Sequence, residues 1–215
     1  MSRFFRYILS VSTGVLLSLA WLGLPGWLLF IAFLPLLSLE NFFVSKKTEF
    51  RGVSFWGHAF LAFLIWNGMT TWWIAHATVA GALMAIIANS FLMSLVWWLG
   101  HTARRYFKAN LGYLALAVFW ISFEYFHFHW DIEWPWLNLG NGFANNVKMI
   151  QWYEYTGTLG GTVWVLALNI ILFNIYVNIR NSASRRKIMY STAGFLLVLL
   201  GPWLYSRSVY NSYRE

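Results

Sequence analysis

The chain of 215 residues contains no cysteine. Disulfides, thiolate metal ligands and a thiol nucleophile are therefore outside its own chemistry. Charge is scarce as well. Charged residues make up 10% of the sequence, against about 25% in soluble domains, which excludes an ordinary cytosolic protein. Acid is scarcest: seven Asp and Glu stand against fifteen Lys and Arg, for a formal charge of +8. In a soluble domain that imbalance would suggest nucleic acid as a partner. Here the basic residues sit in short loops between apolar runs, where they face anionic headgroups, and no nucleic-acid partner is expected. The sequence also lacks HExxH, GxSxG and a glycine-rich phosphate loop. His127 and His129 are two apart, which on a helix points them to different faces. His58, His76 and His101 fall near the ends of separate apolar runs, so no metal and no cofactor is expected. Internal repeats, low-complexity tracts and a soluble domain are missing too.

Apolar and aromatic residues fill the gap, at 60% and 21%, with a mean hydropathy of +0.57. They lie in blocks. Crossing the hydrocarbon core takes roughly 20 apolar residues, and seven segments approach that length: 7–23, 27–43, 55–73, 82–99, 111–128, 159–179 and 188–205. None alternates with a period of two, so they read as helices rather than barrel strands. The first has the basic start Arg3 and Arg6 but no small-x-small cleavage site, and Gly23-Leu24-Pro25-Gly26 leads directly into the second. It is read as the first arm of a retained helical hairpin with a tight Pro-Gly turn.

The charges test this count. With the N-terminus in the cytoplasm, Arg3, Arg6, Lys46, Lys47, Arg51, Arg104, Arg105, Lys108, Arg180, Arg185, Arg186 and Lys187 all fall inside. Only Lys148, Arg207 and Arg214 fall outside. The positive-inside rule expects such an asymmetry. The expected fold is an all-α polytopic membrane protein of seven transmembrane helices, N-terminus cytoplasmic and C-terminus extracytoplasmic, forming one helical domain over 1–215.

One loop is long. Residues 129–157 hold Asp131, Glu133 and Glu154, together with Trp130, Trp134, Trp136 and Trp152. An interfacial aromatic belt accounts for some of these rings. It accounts less well for Trp134-Pro135-Trp136 followed by Asn138, Gly140, Asn141 and Gly142, which suits a rigid, shaped turn. The stretch 144–155 is expected to form a short interfacial helix, with Val147, Ile150 and Glu154 at helical spacing.

Polar residues within the runs carry the remaining information. Glu124 is costly if ionised in lipid; it reads either as an architectural residue with a hydrogen-bonded partner or as part of a substrate path. Asn67, Asn89, Asn169 and Asn174 read as interhelical hydrogen bonders. Gly57 with Ser54, Gly100 with Val96, and the run Gly157, Gly160, Gly161 offer close helix approach.

Four features together resemble the N-terminal membrane domain of bacterial apolipoprotein N-acyltransferase, in a Bacteroidetes-like version. They are Glu124 before the outer loop, Trp134-Pro135-Trp136 with Leu139-Gly140, Gln151 followed by Gly157, Gly160 and Gly161, and Asn169 inside the sixth run. The hairpin with Pro25, Trp27 and Pro35, and Gly68 with Trp72 at the end of the third run, are similar as well. The resemblance covers essentially the whole chain. It implies a multi-pass protein of the bacterial inner membrane, working in lipoprotein maturation. Enzymes of the family move an acyl chain from a phospholipid, through an active-site thiol, to the N-terminal diacylglyceryl-cysteine of lipoproteins.

The family's chemistry resides in an extracytoplasmic nitrilase-like domain that follows the seventh helix. Neither that domain nor a thiol lies within the 215 residues, so no residue here is expected to be catalytic. Either the chain is the membrane half of a longer or split enzyme, its nitrilase-like partner in cis or in trans, or it is the product of a truncated frame. A non-catalytic scaffold subunit and a small-solute transporter are the competing readings. By resemblance, Trp72, Trp73, Trp134, Trp136 and Glu154 line an outer-leaflet cavity for phospholipid and lipoprotein acyl chains. Lys148 is either a contact for lipid phosphate or a solvated loop lysine. Glu124, Pro135, Asn138, Gly140, Gln151, Gly157, Gly160, Gly161 and Asn169 are expected to shape that face.

Overall fold

A computed structural model describes residues 1–131 and 133–212. Ile132 in the outer loop and Arg214, counted above on the outer side, lie outside the described residues. The regular elements of the described residues are all helical: α1 (Arg3–Leu19), α2 (Leu29–Ala32), α3 (Leu34–Ser45), α4 (Gly52–Thr71), α5 (Val79–Tyr106), α6 (Ala109–His127), α7 (Tyr153–Arg180) and α8 (Arg185–Ser212), with short 3-10 turns between several of them. Four stretches, Gly26–Ser45, Val79–Tyr106, Tyr153–Arg180 and Arg185–Ser212, are long and apolar enough to cross a membrane. The fold is that of an all-α protein with several long apolar helices, consistent with a polytopic membrane protein.

The helices run back and forth between two chemically distinct ends. At one end the basic loops meet. Lys47 Nζ donates to the Arg105 carbonyl at 3.2 Å, Arg105 donates back to Phe50 O at 3.0 Å and Lys47 O at 2.9 Å, and the Arg6 guanidinium lies over the Phe42, Phe43 and Phe50 rings. At the other end aromatic side chains meet the loop that follows α6. Trp21 Nε1 donates to Trp136 O at 2.9 Å, and the Trp73 and Trp136 rings meet edge to face at 5.9 Å. Between the ends lies an aromatic core. Phe33 stacks on Trp97 at 4.9 Å and Phe63 tilts against Trp120 at 5.5 Å, all four fully buried or nearly so.

The second apolar run departs from the expected single helix. It is broken into the turn Gly26–Leu28, then α2 and α3, because Pro35 has no N–H and its ring crowds the preceding turn. The break falls between Leu29 and Phe33, a pair that a continuous helix would join. Asn169 of α7 enters the gap: its Oδ1 accepts from Phe33 N at 2.9 Å and its Nδ2 donates to Leu29 O at 2.8 Å. One amide thus replaces the missing ladder bond at both of its ends. Pro202 in α8 is handled the same way. The carbonyl four residues before it, Val198 O, accepts instead from Trp164 Nε1 at 2.6 Å.

Other expectations need correction. The third run ends its α-helix at Thr71, and Trp72–His76 tighten into a 3-10 turn. No continuous helix occupies 144–155: a 3-10 turn covers Val147–Met149 and α7 starts at Tyr153. Gly100 does sit where α5 meets α6, an added Cβ reaching 2.9 Å from Leu116 Cβ, but Gly57 faces open space. Asn67 and Asn89 bond to each other at 2.7 Å, whereas Asn174 lines a hollow between α6 and α7. Arg104, counted above among the loop cations, is buried in the last turn of α5.

The bridge at the broken run yields a test. Replacing Asn169→Leu keeps the branched heavy-atom skeleton but orphans Leu29 O and Phe33 N, and an unsatisfied buried group costs about 1–3 kcal/mol. Thermal unfolding in detergent should show a lower Tm for N169L than for an exposed control such as N181L. Equal melting would remove Asn169 from the accounting of that gap.

Candidate functional site: the pinned outer loop

Among its described residues, the segment after α6 has little regular structure of its own, only the 3-10 turns Pro135–Leu137, Leu139–Phe143 and Val147–Met149. Its polar backbone must therefore find partners elsewhere. Glu124, on the last turns of α6 and buried to 3% exposure, supplies them. Its Oε1 accepts from Trp120 Nε1 at 2.8 Å and from Leu139 N at 2.9 Å. Its Oε2 accepts from Asn138 Nδ2 at 2.6 Å and from Thr162 Oγ1 at 2.5 Å. One carboxyl group thereby ties together the aromatic core, the loop backbone and α7. This is the hydrogen-bonded partner set that the position of Glu124 requires.

Asn138 and Gly140 complete the knot. Asn138 Oδ1 accepts from Gly140 N at 3.0 Å, a short Asx-type turn. Gly140 O accepts from Tyr153 Oη at 3.0 Å. Gly140 must be glycine: a Cβ there would fall 2.0 Å from Thr158 O, and one on the facing Gly161 would fall 1.8 Å from Tyr153 Oη. Backbone meets backbone at this point, which explains why α7 carries its small residues so early. Gly157 breaks the start of α7 with φ +61° and ψ −168°, a left-handed geometry open to glycine. It sets the turn holding Tyr153 apart from the rest of the helix. Gln151 bonds within the loop, Nε2 to Val147 O at 2.8 Å. Two further bonds attach the loop to the early hairpin: Trp21 to Trp136 O, and Gly26 N to Asn146 Oδ1 at 2.9 Å.

The expected lining residues do not gather in one place. Trp72, Trp73 and Trp136 are exposed at 56%, 45% and 56%, and Trp73 with Trp136 forms an aromatic surface patch. Trp134 lies deeper. With Glu124, His127, Pro135 and Asn138 it borders a hollow of about 10 Å³. Glu154 is exposed in the first turn of α7. Lys148 sits apart from all of these, beside α8, its Nζ 5.3 Å from the Tyr210 ring centroid.

Two polar chains join residues whose pairing the sequence does not show, although Asn67 and Asn89 are expected to bond between helices. Behind the pinned loop, His127 Nε2 donates to Asn89 Oδ1 at 3.1 Å, Asn89 Nδ2 to Asn67 Oδ1 at 2.7 Å and Asn67 Nδ2 to Phe63 O at 2.9 Å. At the basic end, buried Glu40 accepts from His101 Nδ1 at 3.0 Å and is paired with Arg104. The Arg104 guanidinium also lies 4.0 Å from the Tyr113 ring. Glu40 had a legible signal, a carboxylate within an apolar run. Its partners, some sixty residues away, had none.

The pin makes a prediction. Glu124→Ala orphans several buried donors at about 1–3 kcal/mol each, a summed loss large enough to loosen the loop. Glu124→Gln keeps one accepting oxygen and should lose less. Unfolding midpoints and protease cleavage within 130–150 would read this order; equal cleavage of E124A and the wild type would contradict it.

Comparison with known proteins places these features. The family description that matches is the apolipoprotein N-acyltransferase N-terminal domain, over residues 13–171, most of the chain. An apolipoprotein N-acyltransferase of Chlorobaculum tepidum is 26% identical over 217 residues, covering 96% of this chain and 38% of that protein. One of Geobacter metallireducens is 28% identical over 204 residues, covering 90% of this chain and 37% of that protein. The chain thus spans well under half the length of these curated relatives. No solved structure matches it. By the matched domain, which includes Glu124, the pinned loop and Asn169, the chain belongs to the apolipoprotein N-acyltransferase N-terminal domain family.

Proposed function

We propose that the chain is the non-catalytic membrane scaffold of an apolipoprotein N-acyltransferase system. In this reading it crosses the bacterial inner membrane seven times, with the basic end cytoplasmic and the pinned loop at the extracytoplasmic face. Its task is to present a rigid, aromatic outer surface beside which a thiol-bearing nitrilase-like domain, in cis or in trans, meets its lipid substrates. Membrane phospholipid and diacylglyceryl-modified lipoproteins are the substrate classes.

The observation that carries this reading is the Glu124 knot. Four hydrogen bonds on one buried carboxyl group hold a loop whose exposed product is the Trp73–Trp136 patch. A passive connector does not require one fixed conformation, whereas this loop is held in one by a fully matched buried carboxyl group. Exposed aromatic rings at an interface suit acyl chains and glyceryl esters, being apolar over the face and polar at the edge. The concentration of basic residues at the opposite end supports the orientation.

Two measurements test it. The purified 215-residue chain, given phospholipid and a diacylglyceryl-cysteine peptide, should transfer no acyl group, because it has no thiol. Fused to a nitrilase-like acyltransferase domain it should support transfer, and Trp136→Ala in that fusion should lower the rate about tenfold with an unchanged Tm, a loss of ~1.4 kcal/mol. Unimpaired transfer by W136A would remove the aromatic patch from substrate handling.

A further inference from the structure

Lys148 and Arg207, separated by most of α7 and α8 in sequence, come together at the aromatic end. Ser206 Oγ, fully buried, donates to Met149 O at 2.9 Å. That bond fixes the residue after Lys148 against the residue before Arg207, so the backbone brings the two cations to one place. They share a hollow of about 310 Å³ with Trp203, Tyr210 and Asn211. A second hollow of similar size, bordered by Asn145, Asn146 and again Lys148 and Tyr210, adjoins it.

The lining is rich in donors. Asn146 Oδ1 is taken by Gly26 N, which leaves its NH₂ group to donate. Arg207 lies 5.9 Å from the Trp203 ring centroid and Lys148 5.3 Å from that of Tyr210, contacts that orient a cation without neutralising it. No acidic residue borders either hollow among the described residues. The depth is also defined. On the same turns of α8, Tyr205 bonds hydroxyl to hydroxyl with Tyr155 of α7 at 3.2 Å, and tyrosine and tryptophan mark the headgroup layer of a bilayer.

We propose that this hollow binds the phosphate of a membrane phospholipid headgroup, with Lys148 and Arg207 as its two cationic contacts and the asparagine amides around them. The proposal rests on the scaffold reading for its placement at the extracytoplasmic face, and it makes the site a holding position for phospholipid next to the pinned loop. A fork-shaped guanidinium and a point-charge ammonium together suit a phosphodiester, which offers two unsubstituted oxygens.

The test is lipid binding to the 215-residue chain in neutral detergent, followed by native mass spectrometry. The probes are dioleoylphosphatidylglycerol, dioleoylglycerol with the same acyl chains and no phosphate, and inorganic phosphate. The wild type should retain the phospholipid at least ~tenfold more tightly than the diacylglycerol. Lys148→Gln with Arg207→Gln should abolish that preference, Lys148→Arg with Arg207→Lys should keep it, and Arg180→Gln at the opposite end should leave it unchanged. Should the glutamine pair fail to fold, the wild type decides: its preference should fall as salt rises from 0.05 to ~0.5 M, where charges are screened. A preference untouched by the glutamine pair or by salt would overturn the site. Tight inorganic phosphate binding without a lipid preference would overturn its assignment to a headgroup. These readouts need no acyl transfer. Failure of the scaffold reading would show in W136A and leave this preference intact, whereas failure of the site would leave the W136A effect intact.

Discussion

A carboxyl group taken out of water has to be matched completely, and Glu124 is. Its two oxygens accept from an indole, a backbone amide, a side-chain amide and a hydroxyl, and those four donors belong to the aromatic core, the outer loop and α7. The cost of leaving any of them unmatched in a low-dielectric interior makes the arrangement all-or-none. The position of the outer loop, the approach of Gly140 to Gly161 and the aromatic patch above them all depend on this group. The loop has almost no regular structure to hold it otherwise.

The same constraint governs the helices. A hydrocarbon environment offers no water to a carbonyl freed by proline. The chain answers with donors from a neighbour: Asn169 at the break before Pro35, and Trp164 at the carbonyl freed by Pro202. Both donors come from α7, so that helix mends the breaks in two others while its first turns cradle the loop. Glu40 with His101 and Arg104 performs a related task at the basic end, closing α3 on α5 through a buried pair.

The two ends thereby acquire different characters. The basic end is assembled from loop backbones and arginines that bond to carbonyls. The aromatic end combines a rigid patch of Trp73 and Trp136 with, farther around the bundle, the Lys148–Arg207 hollow. An apolar ring surface and a cationic hollow on one face are the two kinds of contact that an amphipathic lipid requires, although they lie on different sides of the loop.

The amino-acid sequence by itself determined the class of fold, because apolar block length and the distribution of basic residues are linear properties that a bilayer reads directly. It also singled out the loop after α6 through its unusual Trp-Pro-Trp and Asn-Gly chemistry. It marked Glu124 and Asn169 as polar groups in need of partners, since desolvation penalises each residue where it stands. Only the tertiary structure decided who those partners are. Thr162 for Glu124, Leu29 and Phe33 for Asn169, Arg104 for Glu40 and Arg207 beside Lys148 are matches between segments far apart in the chain. Such matches are set by how helices pack and how far each is rotated, and neither spacing nor composition encodes that. The tryptophans show the same divide: their number forecast an aromatic face, but packing sent Trp134 inward beside His127 and left Trp73 and Trp136 on the surface.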